Sequence, residues 1–410
     1  MPTKDKRIWI VNYYTSSPEK TTNPRYTEFA AAFMAAGYDV LTFNANTNER
    51  IQFKGRFKDV KYGDHHFIHV KTPQYIGNGL RRMWSIFCFA MRLYLYRRKF
   101  DRPSIILHNL HTPFDYPICW IAKSYHAQYV AEAWDMWPED FVTFGFLPKN
   151  SLAMKFAYRV ERTLYERADK VIFTMEGGLD YIKSKGWTTE KGGKVDPKKV
   201  YYINNGVNLE VFEHNRQTYI REDLDLVAPD TYKIIYMGAI QLVNHIKEII
   251  DAAALLKENP KYRFFIYGDG CDRASLEQYV IDNNITNVVF KEKSIPFKEV
   301  AWVVSQATVN LMNYQKEFGI HGVSSGKMFQ YLAAGKPICC NIKLNYSEIS
   351  RHNLGVDRDL DTPEQYAAAI RMLAEQSASE YEAMCNRVRD VAKQFDYRVL
   401  AAEELAVIES

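Results

Sequence analysis

The chain has 410 residues, too many for one hydrophobic core and enough for two domains of ordinary size; with 47% hydrophobic and 25% charged residues and no low-complexity tract, it is neither disordered nor fibrous. A net charge of +4 is too small to point to nucleic acid and suits an anionic nucleotide or an anionic membrane face. Six cysteines without metal-ligand spacing, a start without leader character and no uninterrupted apolar run of about 18 residues argue for a reducing cytoplasm and against a bilayer-spanning helix.

Arg7 to Tyr14 (RIWIVNYY) reads as a buried parallel strand. A polar loop from Thr15 to Pro24, a helix from Arg25 to Ala36 closed by Gly37, and a strand from Tyr38 to Phe43 complete a β-loop-α-β unit that opens a doubly wound sheet. Ligands of such sheets lie beyond the carboxyl ends of the strands, which puts Arg25 at a candidate cleft; a solvated arginine at a helix start would leave the same trace. Tyr75 to Phe100 predicts a helix in which Trp84, Phe87, Phe89, Leu93 and Leu95 are bracketed by Arg81, Arg82, Arg97 and Arg98. Aromatic surface with basic flanks fits an interfacial membrane helix, while apolar residues nearly all round favour a crossover helix buried on the sheet.

The strand Ser104 to His108 runs into a loop carrying His111 and Asp115, followed by a helix (Ile118 to Tyr125) and a strand (Gln128 to Ala133). That strand ends in Trp134-Asp135-Met136-Trp137-Pro138-Glu139, where Asp135 is a candidate for chemistry at a strand's carboxyl end; the alternative is a capping aspartate in an aromatic corner. A helix (Leu152 to Ala168), a strand (Lys170 to Thr174), a Gly-containing turn, a helix (Leu179 to Lys185) and a strand (Val200 to Ile203) complete the first half. His214 to Asp230, charged, containing Pro229 and without periodicity, read as a linker.

The second half repeats the alternation, with strands at Lys233 to Met237, Tyr262 to Tyr267, Val288 to Lys291 and Thr308 to Met312, and helices at His245 to Lys257, Ala274 to Asp282 and Phe297 to Gln306. Two such halves would enclose one deep cleft. Glu317 to Ile338 (EFGIHGVSSGKMFQYLAAGKPI) then places Gly322, Ser324, Ser325 and Gly326 before a helix from Lys327 to Ala334 and a Gly-Lys-Pro break. A helix opened by Gly and Ser turns free N–H groups and its positive dipole end outward, which suits a phosphate, and Lys327 adds a full charge; an ordinary capped helix carries the same residues. The tail from Ser379 to Ser410 reads as a long helical segment.

Strings of this sequence, in one order over most of its length, resemble the retaining glycosyltransferases of family 4, and within them the bacterial enzymes of O-antigen, colanic-acid and capsular polysaccharide synthesis. They are YIGNGLRR, AWDMWPE, RVERTLYERADKVIF, INNGVNLEVF, YMGAI with NHIKEIIDAA, YGDG, SSGKMFQYLAAGKPI and KQFDY. The resemblance implies an α/β chain of GT-B type, with two Rossmann-like domains facing each other across a deep cleft and a C-terminal helix returning to the N-terminal domain. Residues 1–213 would bind the acceptor, 214–230 link, 231–390 bind the nucleotide-sugar and 391–410 return.

Carried over by position, the resemblance sets Gly238 in the turn beside the diphosphate, Lys293 to Pro296 near the nucleobase, and Gly322, Val323, Ser324, Ser325 and the Gly326–Lys327 helix start by the diphosphate and sugar. Asp135 matches the acidic residue of the family's aromatic corner near the reacting carbon, and Arg25 and His111 fall on the acceptor side. Two departures stand out. The family's paired glutamates correspond to Gly322, which cannot replace a carboxylate, and to Gln330, whose amide can still bond a ribose; Glu317 is a possible out-of-register substitute. The cations of the family's first C-terminal loop correspond to Leu242 or its neighbours and Asn244, so His245 and Lys327 are the donor groups at hand.

The implied reaction moves a sugar from a nucleoside diphosphate, UDP by expectation, to a glycan or lipid-diphosphate-linked saccharide with retained configuration. It needs no cofactor or metal, and takes place in the cytoplasm with possible peripheral contact at the inner, anionic face of the membrane. No carboxylate pair stands at the spacing of a double-displacement enzyme, so the departing diphosphate would help to take the acceptor proton. Asp135 and Lys327 are the catalytic candidates. A nucleotide-sugar epimerase or hydrolase, or a catalytically silent binding subunit, would fit the same fold.

Overall fold

The computed structural model describes residues 6–77, 79–111, 113–143, 145–316 and 319–410. The chain forms two compact units, Met1–Asn204 with Tyr397–Ser410, and Asn205–Asp396.

The first unit is built on strands β1 (Arg7–Val11), β2 (Asp39–Ala45), β3 (Phe57–Tyr62), β4 (His65–Val70), β5 (Ile105–Asn109), β6 (Gln128–Ala133), β7 (Lys170–Phe173) and β8 (Val200–Tyr202). Their order is β3-β4-β2-β1-β5-β6-β7-β8, parallel except where β3 runs antiparallel to β4. Alternation explains why β1 is apolar throughout. Ile8 and Ile10 face one side with Tyr26, Phe29 and Leu400, whereas Trp9 and Val11 face the other with Ile86, Phe89 and Leu93. The helix Leu80–Tyr96 supplies Ile86, Phe89, Ala90 and Leu93 from one buried face, at the spacing of a helix packed on a sheet. It starts at Leu80, rather than at Tyr75 as the sequence suggested, and gives way to a 3-10 turn at Arg97–Lys99. The β3–β4 hairpin, absent from the sequence expectation, is an edge: β3 (FKDVKY) exposes its charged residues to water and makes no run of apolar positions.

The second unit carries β9 (Tyr232–Met237), β10 (Tyr262–Tyr267), β11 (Val288–Phe290), β12 (Val309–Met312), β13 (Ile338–Cys340) and β14 (Gly355–Asp357) in the parallel order β11-β10-β9-β12-β13-β14. The expected linker 214–230 is folded into this unit. Its residues lie in or beside the helices Leu209–Thr218 and Leu224–Val227, and Arg221 pairs with Glu292 and Glu299 while Lys291 bonds Asp223 at 3.0 Å and Asp225 at 2.8 Å.

The tail is two helices rather than one. A capping box at Ser377 and Glu380 starts Ala378–Ala392 in the second unit, and after a 3-10 turn (Lys393–Phe395) the helix Tyr397–Glu409 packs in the first unit against Arg25–Ala35. In each sheet the strand order reverses direction at one place, between β1 and β5 and between β9 and β12. Loops leaving the carboxyl ends of those four strands are where a doubly wound sheet binds ligands.

Candidate functional site

In the second unit the turns after β9 and β10 press together. A Cβ on Gly268, whose φ is +128°, would stand 1.8 Å from the Gly238 carbonyl oxygen, and one on Gly270 would stand 2.0 Å from that of Ile240. Only glycine lets the backbones approach this closely, and the Gly238 N–H donates to Tyr267 O at 3.1 Å.

The helix Gly326–Ala334 follows the loop that leaves β12. Ser325 takes the N-cap position with an extended backbone, but its side chain makes no cap bond, so the first-turn N–H groups are not claimed by it. Lys327 extends from that turn until its Nζ is 3.3 Å from the Tyr236 hydroxyl, over the rings of Tyr236 (4.7 Å) and Tyr314 (4.9 Å), and beside Gly238, where an added Cβ would lie 3.1 Å away. No carboxylate pairs with it among the described residues. Desolvation lowers its ammonium to about pH 8, and Cys340 opposes this only in part. A cation with no carboxylate partner among the described residues is thereby held at the β9/β12 reversal, next to a helix N-terminus. Tyr236 and Tyr314, the rings that hold it, were missed by sequence reasoning, although both stand at or just past a strand's carboxyl end.

The other predicted donor-side residues divide. Asn244 is buried, and its carbonyl accepts from Asn313 Nδ2 at 2.8 Å, which fastens the first loop to the exit of β12. His245, in a left-handed conformation, bonds Glu248 through Nδ1 at 3.1 Å, so that ring nitrogen is already engaged within the chain. Gly322 has φ +92°, a backbone that glycine adopts freely and a glutamate would adopt only with strain. Val323 is a correction: its side chain is buried in the core with Phe329 and Leu344 and presents nothing to a ligand. Ser324, Ser325 and Gln330 are half-buried around the helix start and first turns, and the Gln330 side chain makes no hydrogen bond among the described residues. Lys293 is exposed beyond β11, 3.8 Å from Asp269. Glu317 lies outside the described residues.

In the first unit the β1/β5 reversal brings Tyr14 and His111 together, with ring centroids 4.8 Å apart. Arg82 donates to the Tyr14 hydroxyl at 2.5 Å and lies over the Trp137 ring at 5.7 Å; burial, opposed by Arg82, pushes the Tyr14 phenol up to about 12. His111 is buried and held from behind. Its backbone N–H donates to Asp115, whose Oδ2 also lies 3.6 Å from His111 Nδ1 and 3.1 Å from His108 Nε2. Burial raises the Asp115 carboxyl, but His108 and His111 outweigh it and hold the group well below the usual carboxylate range. Asp135 is exposed just past β6, with His111 and Arg82 within electrostatic reach. Arg82 and Tyr14 were not anticipated; the tyrosine pair ending RIWIVNYY, at a strand's carboxyl end, was the available signal.

Arg25 is a correction. Its side chain is 0% exposed and bonds Glu132 at 2.7 Å, Glu404 at 2.9 Å and the Asn204 carbonyl at 2.5 Å. The guanidinium is enclosed by its own protein, so it cannot meet an acceptor.

Residues 25–211 match Glycosyltransferase Family 4, and residues 222–394 match Glycosyl transferases group 1. The chain is 24% identical over 297 residues to the probable glycosyltransferase WbjE of Pseudomonas aeruginosa, covering 70% of this chain and 68% of that protein. It is 24% identical over 258 residues to the putative teichuronic acid biosynthesis glycosyltransferase TuaH of Bacillus subtilis, covering 62% and 60%. HepE of Anabaena, solved in complex with UDP and glucose, shares the fold with a TM-score of 0.68 over 98% of this chain and 99% of that one, at 12% identity. With two Rossmann-like units and matches that together run from residue 25 to residue 394, the chain belongs to the family 4 glycosyltransferases of GT-B architecture.

Proposed function

We propose that this glycosyltransferase moves a hexose-type sugar from a UDP-linked donor to a hydroxyl of a glycan or lipid-diphosphate-linked saccharide, with retention of configuration, in the synthesis of a surface polysaccharide such as O-antigen or capsule. The observation that carries the reading is the Lys327 ammonium, which has no counter-ion among the described residues and stands beside Gly238 at the N-terminus of Gly326–Ala334. Helix N–H groups and a desolvated cation at a strand-order reversal suit a diphosphate. The bond from the anomeric carbon to the diphosphate oxygen breaks, the acceptor oxygen bonds that carbon on the same face, and the acceptor proton passes to the departing diphosphate. Lys327 stabilises the charge that develops on the leaving group, the kind of help that usually contributes most to catalysis. With that cation and the helix N–H groups as counter-charge, the reaction is metal-independent in this proposal. Gln330 is assigned to the ribose, and Lys293 to the nucleobase side. Asp135 and His111 are assigned to the acceptor hydroxyl or the sugar, and the buried Asp115 orients His111.

Support for a UDP donor comes from the UDP and glucose bound by HepE, and support for a polysaccharide product from the teichuronic acid assignment of TuaH. No described helix is long and apolar enough to cross a membrane, and we place the enzyme in the cytoplasm at the inner face of the cell membrane. A thermal-shift panel of nucleoside diphosphates and their sugars tests the donor class; UDP is expected to stabilise the protein, and no stabilisation by any nucleotide would end the reading. Lys327→Ala should cut transfer by about 100-fold or more. Unchanged turnover would remove Lys327 from the site.

A further inference from the structure

Two stretches of the first unit that are far apart in sequence expose large apolar side chains. One is the start of the helix Leu80–Tyr96, with Ile76, Leu80 (88% exposed) and Trp84; the other is the start of Leu152–Arg167, with Phe146 (69%), Leu152 (84%) and Phe156. Leu152 and Phe156 are four residues apart and share an outward face.

The two stretches are neighbours. The Arg82 guanidinium lies over the Trp137 ring, the Trp137 and Phe141 rings are 5.0 Å apart, and the Phe141 carbonyl accepts from Leu147 N at 3.0 Å. Both helices follow strands of one sheet, β4 and β6, and pack into the same core beneath it, so both begin at the carboxyl-end edge.

Their charge is one-sided. Neither residues 75–100 nor residues 141–160 contain an aspartate or a glutamate, and Arg81, Lys149, Lys155 and Arg159 stand exposed among the apolar side chains. Nearby Glu139 is already bound by Lys185 and Tyr158, and burial, reinforced by Asp135, raises Asp140 to about 7. A protein partner is a poorer match, because the centre of a protein interface is depleted in lysine. Bulky apolar tips interleaved with Lys and Arg fit the interfacial layer of a bilayer that carries anionic headgroups. Both helices start here, so their positive N-terminal dipole ends add to the basic character of the edge.

We infer that this edge, formed jointly by the two helix starts, docks the enzyme on an anionic phospholipid surface. The inference deepens the peripheral location proposed above, and it names a second element, residues 146–156, that the sequence did not bring forward.

The full chain is sedimented with vesicles of phosphatidylcholine alone and of phosphatidylcholine with phosphatidylglycerol. Wild-type protein should pellet with the phosphatidylglycerol vesicles and be released by salt. The double variant Leu152→Asp/Phe156→Asp and the charge reversal Lys149→Glu/Lys155→Glu should each lose about 10-fold or more of that binding. All four positions are exposed, and stabilisation by UDP, measured on the same samples, should not change. Failure of wild type to pellet, variants that pellet like wild type, or a patch-dependent dimer without vesicle binding would overturn the inference. The two readings fail separately: UDP stabilisation without vesicle binding refutes the docking edge alone, and vesicle binding without any nucleotide effect refutes the donor reading alone.

Discussion

Arg25 bonds Glu404 at 2.9 Å across 379 residues of sequence, and through it the first unit holds the last helix of the chain. Glu132 shares the same guanidinium and also accepts from the Tyr26 hydroxyl. Two buried carboxylates and one arginine form a lock that works only when all its parts are present. Arg25→Met would strand the carboxylates and should cost about 3–5 kcal/mol in urea unfolding. A loss under 1 kcal/mol would show that the cluster holds little.

Burial, and then the neighbouring Glu132, raise the Glu404 carboxyl well above its ordinary value. A raised acid stabilises the fold fully below its unfolded value, near pH 4, and that share is lost as pH rises through the folded value. Glu404→Gln mimics the protonated acid at every pH. Its stability relative to wild type should therefore grow as pH rises above about 5, and a difference flat with pH would refute the raised carboxyl.

The Lys327 ammonium, lowered to about 8, should bind a diphosphate best when protonated. UDP affinity measured by calorimetry is expected to hold below pH 8 and then weaken by up to about 10-fold per pH unit, one proton being required. In Lys327→Met the affinity should be lower and flat over that range. A parallel decline in both proteins would assign the titration elsewhere.

Gly268 and Gly238 meet where no side chain fits. Gly268→Ala combines a left-handed backbone with a collision against the Gly238 carbonyl, and should destabilise by about 1–3 kcal/mol while loosening the turn beside Lys327. Circular-dichroism melting and UDP titration on the same variant check both effects; an unchanged melting curve would mean that the turns separate freely.

Asp115, held below the usual carboxylate range by His108 and His111, contributes stability above about pH 4 that is lost as pH falls through its folded value. Asp115→Asn should unfold more easily in urea at pH 7, by about 3 kcal/mol, and approach wild type in acid. The variant should also lose transfer activity by releasing the His111 ring. Stability curves that stay parallel down to acid pH would contradict the assignment.

Parallel strands buried on both faces write themselves as apolar runs, so RIWIV and YRFFIY were readable. The edge strand β3 was not, because a strand open to water needs no such run. Residues 214–230 looked like a linker for a related reason: their helices rest on ion pairs to Glu292, Glu299 and Lys291, roughly 66–78 positions downstream, and local periodicity carries no trace of those partners. Position at a helix start said correctly where Arg25 lies in the chain, but its burial depended on two glutamates supplied by distant segments.

From its residues alone the chain declared two αβ halves and a Gly-Ser helix opening with Lys327, because alternating apolar runs and caps are local signals. Folding decided which charges remain available. It used Arg25 and His245 in internal pairs, left Lys327 without a carboxylate among the described residues, and brought Leu80 and Leu152 onto one edge. Such outcomes depend on which partners meet across long separations, and a linear pattern cannot encode that distance.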